Sequence, residues 1–211
     1  MRIECEAMLF DLDGVLVESL PLIERILRTW AAGYGLDADR AVELSHGRRE
    51  ADLIRLLAPE MDAEAGAAEI IAVEEREFTG LEPVAGAPEL LAALPAGRWA
   101  VVTSGTRLVA EGRLAAAGLP RPDVFLTAED TPRGKPDPEG YLKAAAMLGY
   151  APDQCVVVED APAGLAAAAA AGMASIGRGG QARQASMWVP DLTGLSLTVS
   201  AAGLSIGYAQ S

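Results

Sequence analysis

Apolar and polar positions follow two rhythms along this chain. A short apolar run, Ala7-Met8-Leu9-Phe10, breaks at Asp11-Leu12-Asp13-Gly14 and reads as a buried strand entering a turn. From Leu20 to about Thr79 the rhythm is helical. Leu22, Ile26, Leu27 and Trp30, then Leu53, Leu56 and Leu57, then Ile70, Ile71 and Val73 recur at spacings of three and four. Pro83, Gly86 and Pro88 punctuate the exit, and beyond them short apolar runs alternate with helical stretches. The runs at 99–102, 124–126, 155–158 and 174–176 are read as strands, and 107–117, 139–148 and 165–171 as helices stopped by Gly118, Gly149 and Gly172.

Continuous apolar strands separated by helices mark a parallel sheet covered on both faces. The expected fold is therefore α/β: a doubly wound, Rossmann-like parallel sheet core, with a small all-helical cap inserted after the first strand. Residues 1–14 and 83–211 would form the core and residues 15–82 the cap. After Gly177 the pattern weakens, and Trp188-Val189 and Leu195–Val199 are expected to add at most an edge strand.

Composition narrows the function. The chain has 211 residues, 51% apolar and 22% charged, which excludes disorder as its main state. Thirty acidic against 17 basic residues give a net charge of −13, which disfavours nucleic acid and anionic membrane surfaces as partners. No apolar run reaches 18 residues, and Glu4 and Glu6 sit where a signal peptide would be basic, so a cytosolic monomer or weak homo-oligomer is expected. Cys5 and Cys155, each beside an apolar run, read as buried reduced thiols. His46 is the single histidine, so acid–base work falls to carboxylates. Only Lys135 and Lys143 are lysines among 17 cations, which singles out Lys135, flanked by Gly134 and Pro136.

The carboxyl ends of parallel strands share one edge, where ligands bind. Asp11-Leu12-Asp13, Thr103-Ser104-Gly105, Lys135 and Glu159-Asp160 all fall at or beyond such ends. Two carboxylates about 4 Å apart repel by about 4 kcal/mol at an effective dielectric of 20, and a hard divalent cation relieves this. All-oxygen ligands favour Mg²⁺ over zinc or copper. Such a site suits a small phosphorylated substrate. Asp11 would attack phosphorus and Asp13 would serve the leaving oxygen and then the hydrolytic water. Thr103, Ser104, the Gly105 amide and Lys135 would hold the phosphoryl oxygens.

The segments 10–16 (FDLDGVL), 102–106 (VTSGT), 134–138 (GKPDP) and 158–164 (VEDAPAG) resemble the four ordered motifs of the haloacid dehalogenase-like hydrolase superfamily, over essentially residues 7–177. The resemblance is to its members with a helical cap after the first motif, especially sugar-phosphate and glycerol-phosphate phosphatases. It implies a Mg²⁺ held by the Asp11 carboxylate, the Asp13 carbonyl and Asp160, with Glu159 as a near or direct ligand. It also implies that Ser45-His46-Gly47-Arg48-Arg49 faces the active site, with His46 and Arg48 reading the leaving group. Alternatives stay open: a β-phosphoglucomutase-like transfer on the same fold, then a phosphoglycolate phosphatase, a dehalogenase, or a non-catalytic binding module, which would carry a broken motif. Fifteen of the 30 acids lie in residues 15–82, so an anionic substrate must approach an anionic protein.

Overall fold

The computed structural model describes residues 1–201 and 203–208. Two strands open the chain, β1 (Arg2–Cys5) and β2 (Ala7–Phe10). Four helices follow: α1 (Leu20–Gly33), α2 (Ala38–Ser45), α3 (Glu50–Leu57) and α4 (Ala63–Glu74). The chain then alternates through α5 (Ala87–Ala93), β3 (Trp99–Val102), α6 (Arg107–Ala116), β4 (Val124–Leu126), α7 (Glu139–Leu148), β5 (Cys155–Glu159), α8 (Pro162–Ala170) and β6 (Ala174–Arg178). It ends in β7 (Met187–Val189), β8 (Leu195–Ser200) and β9 (Gly203–Tyr208).

The six-stranded sheet has the order β4-β3-β2-β5-β6-β7 and every pairing in it is parallel. The chain winds outward from β2 through β3 and β4, then returns to the other side of β2 through β5, β6 and β7. The reversal places a crevice between the carboxyl ends of β2 and β5, the position where open α/β sheets bind ligands. Strand residues alternate between two apolar layers. Met8, Phe10, Val101 and Val158 join the larger cluster with Leu90, Leu114 and Ile206, and Leu9, Val102, Leu126 and Val157 pack with Tyr141, Ala144 and Ala167 on the other face. Burial on both faces is the physical reason these strands read as unbroken apolar runs.

The inserted helices form where sequence supplies both a face and a cap. Asp37 accepts from the Arg40 amide at the start of α2, and Asp62 accepts from the amides of Glu64 and Ala65 at the start of α4. Trp30 packs partly buried against the core cluster while its indole N–H donates to Glu69, tying α1 to α4.

The C-terminal region departs from the expectation. Trp188-Val189 does extend the parallel sheet, as its edge strand β7, whereas Leu195–Ser200 pairs with β9, and β9 with β1, in a separate antiparallel sheet of order β1-β9-β8. The core strand that precedes the helical insertion is therefore the second of the chain. Cys5 and Cys155 are free and buried, and burial pushes their thiols up to about 12 and about 11, so both stay protonated.

Candidate active site

Each motif is delivered by a strand end. The Asp11 amide donates to the Val158 carbonyl, extending the β2–β5 pairing one residue past β2, and the Thr103 amide donates to Leu126 in the same way. These bonds fix where Asp11 and Thr103 leave the sheet. Gly14 follows with φ +70°, and a Cβ there would stand 2.3 Å from Asp160 Oδ2, so only glycine permits both the turn and the approach of the Asp160 carboxylate.

The floor of the site is a buried set of three carboxylates and one ammonium. Lys135 Nζ lies 2.9 Å from Asp11 Oδ1 and 2.6 Å from Glu159 Oε1. Tyr141 donates its hydroxyl to the same Glu159 oxygen at 2.6 Å, while Glu159 Oε2 accepts from the amides of Asp160 and Ala161. Glu159 thus has both oxygens engaged and anchors the lysine. Its side chain fills the space beside Gly164, where a Cβ would come within 1.7 Å of Glu159 Oε1.

One cation does not balance three acids. Burial, opposed by Lys135 and reinforced by Glu159 and Asp13, pushes Asp11 up to about 7. Burial, then Glu159 and Asp11, raises Asp160 well above the ordinary carboxylate range. Burial alone would lower Lys135, but the carboxylates of Asp11 and Glu159 reverse this and raise it. Asp11, Glu159 and Asp160 offer carboxylate oxygens within 4.8 Å of one another, a set of hard ligands with unrelieved negative charge that is compatible with a divalent metal.

The other motif residues surround this floor. Thr103 is buried, and its hydroxyl accepts from the Gly105 amide at 3.1 Å. Ser104 turns its hydroxyl to the Gly47 carbonyl of the inserted helical region at 2.9 Å. The segment 45–49 closes over the strand ends: Gly47 lies against Ala161, and Arg49 donates to the Thr131 carbonyl at 2.9 Å. A cavity between this segment and the sheet edge is lined by Asp11, Asp13, His46, Arg48, Thr103 and Asp160, among others. Eight of the ten expected residues line this cavity, and the other two, Lys135 and Glu159, sit in the buried floor cluster in contact with Asp11 or each other. His46 is half-buried, and burial lowers it below the ordinary imidazole value.

Motif reading missed a second buried group. Arg113 of α6 donates from one terminal nitrogen to Asp13 Oδ2 and from the other to Glu74 Oε1 of α4, each at 2.8 Å. Ser19 also donates to Asp13. A signal for the pair existed. Arg113 falls on the buried stripe Val109-Ala110-Leu114 of α6, and Glu74 on the stripe Ala67-Ile70 of α4, and a charged residue on an apolar helical stripe needs a partner.

Comparison with known proteins accords with this geometry. The model of a family described as haloacid dehalogenase-like hydrolase matches residues 5–172, and the chain belongs to that family of enzymes. It is 45% identical over 174 residues to hexitol phosphatase A of Escherichia coli (strain K12), covering 80% of each chain. It is 39% identical over 190 residues to glycerol-1-phosphate phosphohydrolase 2 of Saccharomyces cerevisiae, covering 84% of this chain and 76% of that protein. Among solved structures, a hydrolase from Pseudomonas syringae superposes with a TM-score of 0.74 at 26% identity, over 82% of this chain and 84% of that one. Among the described residues, no helix is long and apolar enough to cross a membrane.

Proposed function

We propose that this enzyme is a Mg²⁺-dependent phosphatase of small polyol and sugar phosphate monoesters, working through an aspartyl phosphate on Asp11. The observation that carries the reading is the placement of Asp11: at the β2 end, 2.9 Å from Lys135, beside Asp160, and lining the cavity under the inserted helices. The names of hexitol phosphatase A and glycerol-1-phosphate phosphohydrolase 2 support the substrate class.

Asp11 attacks phosphorus, and Lys135 holds charge on both the nucleophile and the phosphoryl group. Asp13, held by donors from Arg113 and Ser19, gives a proton to the leaving oxygen and later takes one from water. Thr103, Ser104 and the Gly105 amide hold phosphoryl oxygens. The Asp11 and Asp160 carboxylates and the Asp13 carbonyl would hold Mg²⁺, while Glu159, with both oxygens engaged, keeps Lys135 in place. Bound there, the metal supplies Lewis-acid stabilisation of phosphoryl charge. Residues 15–82 act as a cap that moves to admit substrate and closes to exclude water, with His46 and Arg48 meeting the leaving group. The acidic composition and the two free, buried thiols support a cytosolic location.

The test is phosphate release from hexitol, glycerol, hexose and glycolate phosphates, with Mg²⁺ and with chelator. Release from the polyol and sugar esters that stops on chelation is expected. Interconversion of sugar phosphate isomers without free phosphate would reject the reading in favour of a mutase.

A further inference from the structure

The leaving-group end of the cavity carries charges that phosphoryl transfer does not use. Glu50 in the first turn of α3, Glu74 at the end of α4 and Arg113 of α6 line the same cavity as Asp11 and Asp13. Glu74 and Arg113 are both buried, 3% and 2% exposed, and Glu74 accepts from Arg113. Burial, then the neighbouring Glu74, pushes Glu50 up to about 8, and burial raises Glu74 as well. Arg113 spends its two terminal nitrogens on Asp13 and Glu74, and its Nε–H, equally buried, has no acceptor among the described residues.

Of the other charged and titratable groups facing this end, Arg48 is a cation with no carboxylate partner among the described residues. Glu24 of α1 is paired with Arg28. Burial lowers His46 toward its neutral form, and Arg48 donates to the Leu44 carbonyl.

We propose that Glu50, Glu74 and Arg113 form a specificity-determining subsite that accepts an uncharged polyhydroxyl leaving group and rejects one bearing a second phosphate or a carboxylate. The inference rests on the phosphatase reading and sharpens it. A hydroxyl both donates and accepts, and so does a carboxylate beside a carboxylic acid; the unfilled Nε–H takes one further hydroxyl oxygen. A second anion meets two carboxyls and a guanidinium already neutralised by two partners, and like-charge contact of this kind suppresses wrong ligands strongly. Returning a phosphoryl group to a sugar phosphate would build a bisphosphate in this pocket, so the same feature opposes mutase chemistry.

The experiment compares kcat/KM for phosphate release from a hexitol monophosphate, a hexose bisphosphate and phosphoglycolate, in the wild-type enzyme and in Glu74→Gln and Glu50→Lys. The wild type should favour the hexitol ester on the order of a hundredfold. Glu74→Gln removes one negative charge while its amide oxygen still accepts from Arg113, and Glu50→Lys replaces an acid by a cation. Either should narrow the ratio by about tenfold, chiefly through KM. A wild type that treats the three esters alike, or variants that both leave the ratio unchanged, would overturn the subsite. Failure to release phosphate from any ester would instead overturn the phosphatase reading itself, so the two failures are distinguishable. The wild-type ratio stands even where a variant fails to fold.

Discussion

The floor and the inner wall of the cavity are both acidic clusters served by one buried cation, yet they differ in how the cation is used. On the floor, Lys135 is shared by Asp11 and Glu159 while Asp160 has no ion-pair partner among the described residues. In the wall, the planar guanidinium of Arg113 spans Asp13 and Glu74, while burial and Glu74 raise Glu50 to about 8. A compact ammonium contacts two carboxylates at a point and leaves charge over for a divalent ion, whereas a fork of donors closes its cluster without one. Equal acidity therefore leaves two different remainders: a floor with unrelieved negative charge that is compatible with a divalent metal, and a wall whose cation is taken up by its own carboxylates.

The sharpest break in that comparison is at the nucleophile. Asp11→Asn should lower phosphate release by roughly 10⁴-fold or more while the protein stays folded, since only a floor carboxylate can attack phosphorus. Steady-state release alongside circular dichroism checks this.

Removing the cations separates the clusters by stability. Lys135→Met and Arg113→Met should each cost about 3–5 kcal/mol in urea unfolding, because each leaves buried carboxylates unpaired. Mg²⁺ should restore much of the loss in the lysine variant and little in the arginine variant. Equal rescue of both would erase the distinction between floor and wall.

Acidity tests the floor and wall together. Asp11 is raised from 3.8 to about 7 and Glu50 from 4.5 to about 8, so the folded protein binds more protons than the unfolded chain between those values. The stability these groups confer is present at low pH and is lost as pH rises through their folded values. Chelator-treated protein should therefore show a higher Tm near pH 5.5 than near pH 8, and Mg²⁺ should raise Tm more at the higher pH. A chelated protein most stable at pH 8 would contradict the assignment.

Smaller effects probe the supports. Gly14→Ala forces a positive φ and a methyl 2.3 Å from Asp160 Oδ2, at about 1–3 kcal/mol with loss of metal-dependent stabilisation. Ser104→Ala removes the hydrogen bond to the Gly47 carbonyl, at about 1 kcal/mol of stability, and with it the hydroxyl proposed to meet the phosphoryl group.

The floor was legible in sequence because each of its residues follows a buried strand or its loop, and a chemical residue after an apolar run is a local pattern. Asp11 follows Phe10, Thr103 follows Val102, and Asp160 follows Glu159 at the β5 end. The wall showed in sequence only as a charged residue on each of two apolar helical stripes, because nothing local pairs Arg113 of α6 with Glu74 of α4, 39 residues away in sequence. The small sheet was hidden for the same reason. Arg2–Cys5 is too short and charged to announce a strand, and its partner lies about 200 residues on, as the register Arg2 to Gly207 shows. In β8 the exposed Ser196 and Thr198 alternate with partly buried Leu195 and Leu197, a pattern of one-sided burial that says a strand forms without saying which sheet it joins.

The most direct test of the account is to trap the intermediate. Enzyme mixed with a polyol ester carrying labelled phosphate, acid-quenched within a turnover and digested, should carry label on the peptide containing Asp11, as an acyl phosphate released by hydroxylamine. Turnover with no label on the protein, or label on any residue other than Asp11, would contradict it.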